Sequence, residues 1–138
     1  MSTFKSHRKL IPITENAIRV RDWEKKNLPI EQSALALDLF LFISYNTLIG
    51  KPLTLKVLFH SLEYSEAGIR KQLRRLLQDE WCLITGNEVD RRLRYVVAQP
   101  KMLQALNAYS RVLTANYRPS AARKSHTKQP DATQPELS

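Results

Sequence analysis

Four cations recur in one short stretch of the chain: Arg70, Lys71, Arg74 and Arg75. At roughly 100° per residue of helix they share an arc of about 140°, whereas Ile69, Leu73, Leu76 and Leu77 fill a separate apolar arc. Ala67 falls among the cations one turn earlier, directly after Glu66. A helix divided in this way packs down on one side and offers the other to a polyanion. A small residue near its start lets the backbone approach a groove. Arginine can donate to guanine O6 and N7 together, and cations further along can meet phosphates. Ser65 is placed to cap the helix. Glu66 either complements the helix dipole or accepts from a cytosine N4 group. The competing reading of any basic stripe is a solvated face laced with charge pairs. Against it, the arc shows no interleaved acid.

A second group of cations lies fifteen to twenty residues on, in Asp90-Arg91-Arg92 and Arg94. The two-residue period of a strand puts Arg92 and Arg94 on one face. An arginine on a narrow β-ribbon can enter a minor groove beside a helix in the major groove. The plainer alternative is a hairpin whose charges keep its edge from pairing.

The elements that must hold these residues are well punctuated. Residues 30–48 are apolar nearly all round and read as a helix that starts after Pro29 and ends at Gly50-Lys51-Pro52. Such a helix is either the centre of a domain or also meets a second subunit. Leu53 reads as a short strand position. Thr54 then caps a helix over 55–61, with Leu55, Leu58, Phe59 and Leu62 inward. Three residues later Ser65 opens the basic helix, which runs to about Glu80. After Trp81 the apolar period falls to two, giving strands over 82–85 and 92–97 joined by residues 86–90. A last helix spans 100–117, with Met102, Leu106, Tyr109 and Leu113 on one stripe. Two short helices around a three-residue turn, followed at once by a hairpin, predict a mainly α fold with a small β-hairpin, a winged helix-turn-helix.

The stretch from Leu53 to Val97 resembles the winged helix-turn-helix of MarR-type bacterial transcription regulators. The residues that carry this are Leu53-Thr54, the run Ser65-Glu66-Ala67-Gly68-Ile69-Arg70-Lys71-Gln72-Leu73-Arg74-Arg75-Leu76, and Asp90-Arg91-Arg92, which matches the family's Asp-x-Arg. The resemblance implies that Arg92 is the wing reader and that Asp90 holds it. The sequence departs from the family after the wing, where Gln99-Pro100-Lys101-Met102 replaces Thr-x-x-Gly. It departs again in having one helix and a polar tail where the family has two C-terminal helices. The family dimerises through its terminal helices. Either this chain builds its dimer differently, with helix 30–48 and helix 100–117 as the faces that suit a homodimer, or it is a monomer.

Composition bounds the rest. The 138 residues carry a net charge of +9, which partitions as +4 over residues 1–29, +3 over 30–117 and +2 over 118–138. The segments are expected to be a basic N-terminal arm with a short helix over 17–23, the DNA-binding domain, and a disordered polar tail. One cysteine, Cys82, allows no internal disulfide or multi-cysteine zinc site, and reads as a packed core residue. His7, His60 and His126 have no second ligand at metal spacing, so no cofactor or metal is expected. Nothing in the sequence arranges Ser/His/Asp or paired carboxylates for catalysis, so no enzyme is expected. The most apolar run, residues 34–49, is shorter than a membrane span and carries Asp38, Ser44, Asn46 and Thr47. With no targeting segment visible at residues 1–9, a cytoplasmic, nucleoid-associated protein is expected. The function these features predict is sequence-specific binding of double-stranded DNA to regulate transcription, as a repressor. The alternatives are a winged helix used as a protein-interaction module, or a plasmid replication or partition factor of the same fold.

Overall fold

The computed structural model describes residues 7–31 and 33–115. Along them run helix α1 (Leu10–Asn27), helix α2 (Ala34–Leu48), strand β1 (Leu53–Thr54), helix α3 (Leu55–Ser61), helix α4 (Glu66–Gln78), strands β2 (Cys82–Gly86) and β3 (Arg94–Ala98), and helix α5 (Pro100–Thr114). The architecture is the mainly helical winged helix-turn-helix expected from the sequence. The expected tail, residues 118–138, and the last two residues of the expected final helix lie outside the described residues.

Helix α2 is the centre. Leu39, Phe40 and Ile43 have no exposure at all. The helix starts four residues later than Pro29 suggested. Ser33 is its N-cap, accepting from the Ala36 amide at 3.2 Å. The reason is burial: Leu28 and Ile30 both enter the core through a turn closed by Ser33 N–H to the Ile30 carbonyl at 2.8 Å. A helix begun at Pro29 would not make that turn. At the other end Gly50 adopts φ 75°, a left-handed conformation that glycine takes without steric cost. Its amide bonds the Thr47 carbonyl and that of Lys51 bonds Asn46, which closes the helix as a Schellman motif.

The sheet is antiparallel in the order β1-β3-β2, with Leu53 opposite Val96 and Cys82 opposite Ala98. These four residues are buried. Burial also pushes the Cys82 thiol up to about 12, so it packs as a small hydrophobe. Strand β3 begins at Arg94, two residues later than the sequence suggested. The loop is longer because its polar side chains take the backbone for themselves. Asn87 Oδ1 accepts from the amides of Val89 and Asp90 at 2.7 and 2.9 Å, and Asp90 accepts from that of Arg92 at 3.0 Å. Such local bonds compete with ladder pairing.

The N-terminal segment differs most from expectation. The short helix expected over 17–23 runs from Leu10 to Asn27, so residues 10–12 are helical rather than part of a loose arm. Val20, Trp23 and Glu24 turn inward. Trp23 stacks on Tyr109 of α5, with ring centroids 5.8 Å apart and planes within 4°. The Tyr109 hydroxyl donates to Glu24 Oε2 at 2.5 Å. Glu24 is only 4% exposed, and its Oε1 lies 3.6 Å from Arg21 Nη1. Among the described residues no helix is long and apolar enough to cross a membrane.

The Glu24–Tyr109 contact can be tested directly. Tyr109→Phe removes the donor and leaves a buried carboxylate short of partners. It is expected to lower stability by about 1–3 kcal/mol in urea unfolding. Full wild-type stability would mean that α1 is not anchored there.

Candidate nucleic-acid interface

The two helices that precede the hairpin are each started by a hydroxyl. Thr54 accepts from the Val57 amide at 3.2 Å, and Ser65 accepts from that of Gly68 at 3.0 Å. Each cap satisfies an amide that the helix itself cannot. Leu58 of α3 and Ile69, Leu73 and Leu76 of α4 are buried. Helix α4 approaches α2 at Gly68. A Cβ there would stand 3.2 Å from Leu35 Cδ1 and 3.1 Å from Ser65 Oγ, so a larger residue would require those two side chains to give by a few tenths of an ångström. Lys71, Arg74, Glu66, Ala67 and Arg70 are left exposed on the side away from Ile69, Leu73 and Leu76, and Ser65 is exposed as well, while Arg75 is half-buried.

The expectation that no acid interleaves with these cations is wrong. Arg70 donates from Nε and Nη2 to Glu66 Oε2 at 2.9 and 2.6 Å. Its guanidinium carbon also lies 4.5 Å from the centre of the Phe59 ring on α3. Glutamate four residues before arginine is a favourable helix pair, and the spacing was readable in the sequence. Arg75 is tied to Glu31, which lies in the turn before α2. Glu31 holds φ 45° there. Among the described residues no acid pairs with Lys71 or Arg74. Phe59, expected only as an inward residue, is half-buried and presents a face to Arg70. His60 is exposed, and its Nδ1 lies 2.8 Å from the Lys56 carbonyl of its own helix.

At the hairpin tip Asp90 is half-buried and Arg91, Arg92 and Arg94 are exposed. Arg92 sits in the turn and Arg94 opens β3, so the two do not share a strand face as the shorter loop had implied. Asp90 grips Arg92 through the backbone amide at 3.0 Å and through Nε and Nη2 at 3.2 and 3.4 Å. Helix α4 packs against β2, so the tip and the basic helix belong to one folded unit. Arg92 also holds the Asp90 carboxyl below its ordinary value of 3.8. A depressed carboxyl pKa means that the grip is complete at neutral pH and is lost only as pH falls through the lowered value. The Asp90 carboxyl signal, followed by carbon NMR, is expected to titrate below 3.8 and to move up in Arg92→Ala. An unchanged midpoint would show that the guanidinium does not hold the carboxylate.

No protein-family model and no curated protein sequence matches the chain. Solved structures do. The S. aureus MepR–DNA complex superposes with a TM-score of 0.65 over 85% of this chain and 83% of that one, at 9% identity. Reduced AbfR bound to DNA gives a TM-score of 0.51 over 90% and 91%, at 16% identity. Likeness at such identities speaks for the shape of the chain. The protein has the MarR-type winged helix-turn-helix fold.

Proposed function

We propose that the protein binds double-stranded DNA at specific sequences and regulates transcription as a repressor, with α4 in the major groove and the β2–β3 hairpin as the wing. The observation that carries this is the division of α4. Ile69, Leu73 and Leu76 are sealed in the core, while Ala67, Arg70, Lys71 and Arg74 stand exposed on the second helix of a helix-turn-helix. That is the arrangement a groove-reading helix needs, with a small residue near the start and cations along the same side. Two structures of similar shape, those of MepR and AbfR, are themselves bound to DNA. Ser65 and Glu66 start the reading helix. Arg70 reads guanine, Lys71 and Arg74 meet phosphates, and Arg75 contributes less because Glu31 competes for it. In the wing Arg92 is the reader, Asp90 holds it, and Arg91 and Arg94 add positive charge. Occupation of promoter DNA by such a unit excludes polymerase, which is repression by steric means.

The protein acts as a homodimer in this reading. Helix α2 exposes Tyr45 and Leu48 at 60% and 59%, and α5 exposes Leu113 at 47%. An open groove lined by Leu48, Leu103 and Leu106 joins the two helices. A dimer of this kind binds a pseudo-palindrome with half-sites about 10 bp or a multiple apart.

Titration of a fluorescent duplex at several salt concentrations tests the reading. Contact with some six phosphates predicts a loss of about 10³-fold in affinity between 50 and 200 mM salt. Arg70→Ala should cost about 1–3 kcal/mol and relax preference at one base pair. Arg74→Ala should weaken all sequences alike and lower the salt slope by about 1. No duplex binding at low salt sinks the proposal and favours a protein-interaction module. Bound sites clustered at a replication origin rather than at promoters would favour the replication or partition role. For the dimer, Leu48→Asp is expected to convert a sedimenting dimer into a monomer without unfolding it. A wild-type monomer at micromolar concentration would refute that part alone.

A further inference from the structure

The Glu66–Arg70 pair invites a sharper reading, which rests on the proposal that α4 enters the major groove. Both side chains are more than half exposed, at 58% and 55%. An ion pair so placed contributes little to stability. What it does is fix a geometry. One carboxylate oxygen, Glu66 Oε2, takes both the Nε and an Nη2 hydrogen, and the Phe59 ring supports the guanidinium. The side edge of the guanidinium is thereby consumed. Of its five N–H groups, three remain: both on Nη1 and the second on Nη2. They form the terminal edge, which can still donate as a pair. Among the described residues Glu66 Oε1 accepts no hydrogen bond. The unit therefore presents two donors and an adjacent acceptor, drawn back toward the first turn of α4.

We infer that Glu66 and Arg70 read one G·C base pair as a single unit, and that Glu66 is a specificity-determining residue rather than only a helix-start charge. In the major groove a G·C pair shows guanine N7 and O6 as acceptors and then the cytosine N4 group as a donor. Arg70 matches the first two and Glu66 Oε1 the third. An A·T pair sets a donor against the guanidinium and the thymine O4 acceptor against the carboxylate, and the reversed pairs invert the order. Arg70 also neutralises a carboxylate that alone would be repelled by the phosphates. A free arginine discriminates guanine wherever it can reach one. An arginine held by Glu66 and Phe59 reaches one position only, at a smaller loss of side-chain freedom on binding.

The test is quantitative binding to a duplex library varied one base pair at a time, with wild type, Glu66→Ala, Glu66→Gln, Arg70→Ala and the double variant Glu66→Ala/Arg70→Ala. Ser65 keeps the helix cap in every variant, and circular dichroism checks the fold. Wild type is expected to favour G·C at one position by about tenfold or more. Glu66→Ala should flatten that same position and, with one carboxylate fewer facing the phosphates, raise affinity for non-specific duplex. The double variant should be no flatter there than Arg70→Ala alone. Glu66→Gln, whose amide oxygen can still accept from the cytosine N4 group, should keep the G·C preference better than Glu66→Ala does, while adenine N6 still opposes the Arg70 guanidinium. Preference intact in Glu66→Ala, or altered at a different position, or lost equally on all sequences, overturns the inference while the DNA-binding proposal stands. Absence of duplex binding by wild type defeats both, and is told apart by that control.

Discussion

The placement of every functional element depends on the burial of α2. Leu39, Phe40 and Ile43 are fully enclosed, and removal of each such side chain from water is worth about 1.5–3 kcal/mol. Helix α4, strands β1 and β3, and helix α5 all pack against this one helix. At Gly68 the absence of a Cβ leaves room for the Leu35 side chain against the first turn of α4. The exposed basic side of α4 is set by the burial of Ile69, Leu73 and Leu76 on the other side of the helix. A helix that reads bases must be held within a fraction of an ångström, and packed cores resist deformation in a way that surface charge pairs do not.

On that frame the charges fall into two kinds. Arg70, Arg75 and Arg92 each have a carboxylate partner in Glu66, Glu31 and Asp90. Among the described residues Lys71, Arg74, Arg91 and Arg94 have none. A paired guanidinium has a direction and suits a contact whose geometry matters. An unpaired cation on a long stem suits phosphates, where attraction is long-ranged, tolerant of angle and weakened by salt. The net charge of +9 does not distinguish these two kinds of cation, but the pairing does.

Much of this was legible in the sequence, for reasons that can be named. Thr54 and Ser65 stand immediately before their helices and cap both, because a hydroxyl at that position has one strong use. The inward stripe of Ile69, Leu73 and Leu76 follows from helical period alone. Other features were not legible. Helix α1 has no capping side chain at Lys9 and begins Leu-Ile-Pro-Ile, so no start signal marks it; a tertiary contact with α5 holds it instead. The pairing of Arg75 with Glu31 joins residues 44 apart in the chain, which no local pattern encodes. The strand boundary at Arg94 was set by Asn87 and Asp90 competing for backbone amides. The Glu66–Arg70 spacing is visible in the sequence, but a glutamate in the first turn of a helix equally suits the helix dipole, so spacing alone does not assign it to Arg70.

The contact that holds α1 is an unusual choice, and it explains how that helix is oriented. An apolar pair would bury as favourably as Glu24 with Tyr109, since sequestering a carboxylate is costly even with a good donor. An apolar contact, however, tolerates rotation of the helix, whereas a single hydroxyl reaching a single carboxylate oxygen at 2.5 Å does not. Orientation matters here because α1 is apolar on two sides. Val20 faces the core, while Ile11 and Ile18, at roughly 180° from it by helical period, are 51% and 64% exposed. Without a directional contact either side could turn inward. The Glu24–Tyr109 bond, with Trp23 stacked beside it, settles which side is buried. It thereby fixes the direction in which the other apolar side faces out from the domain.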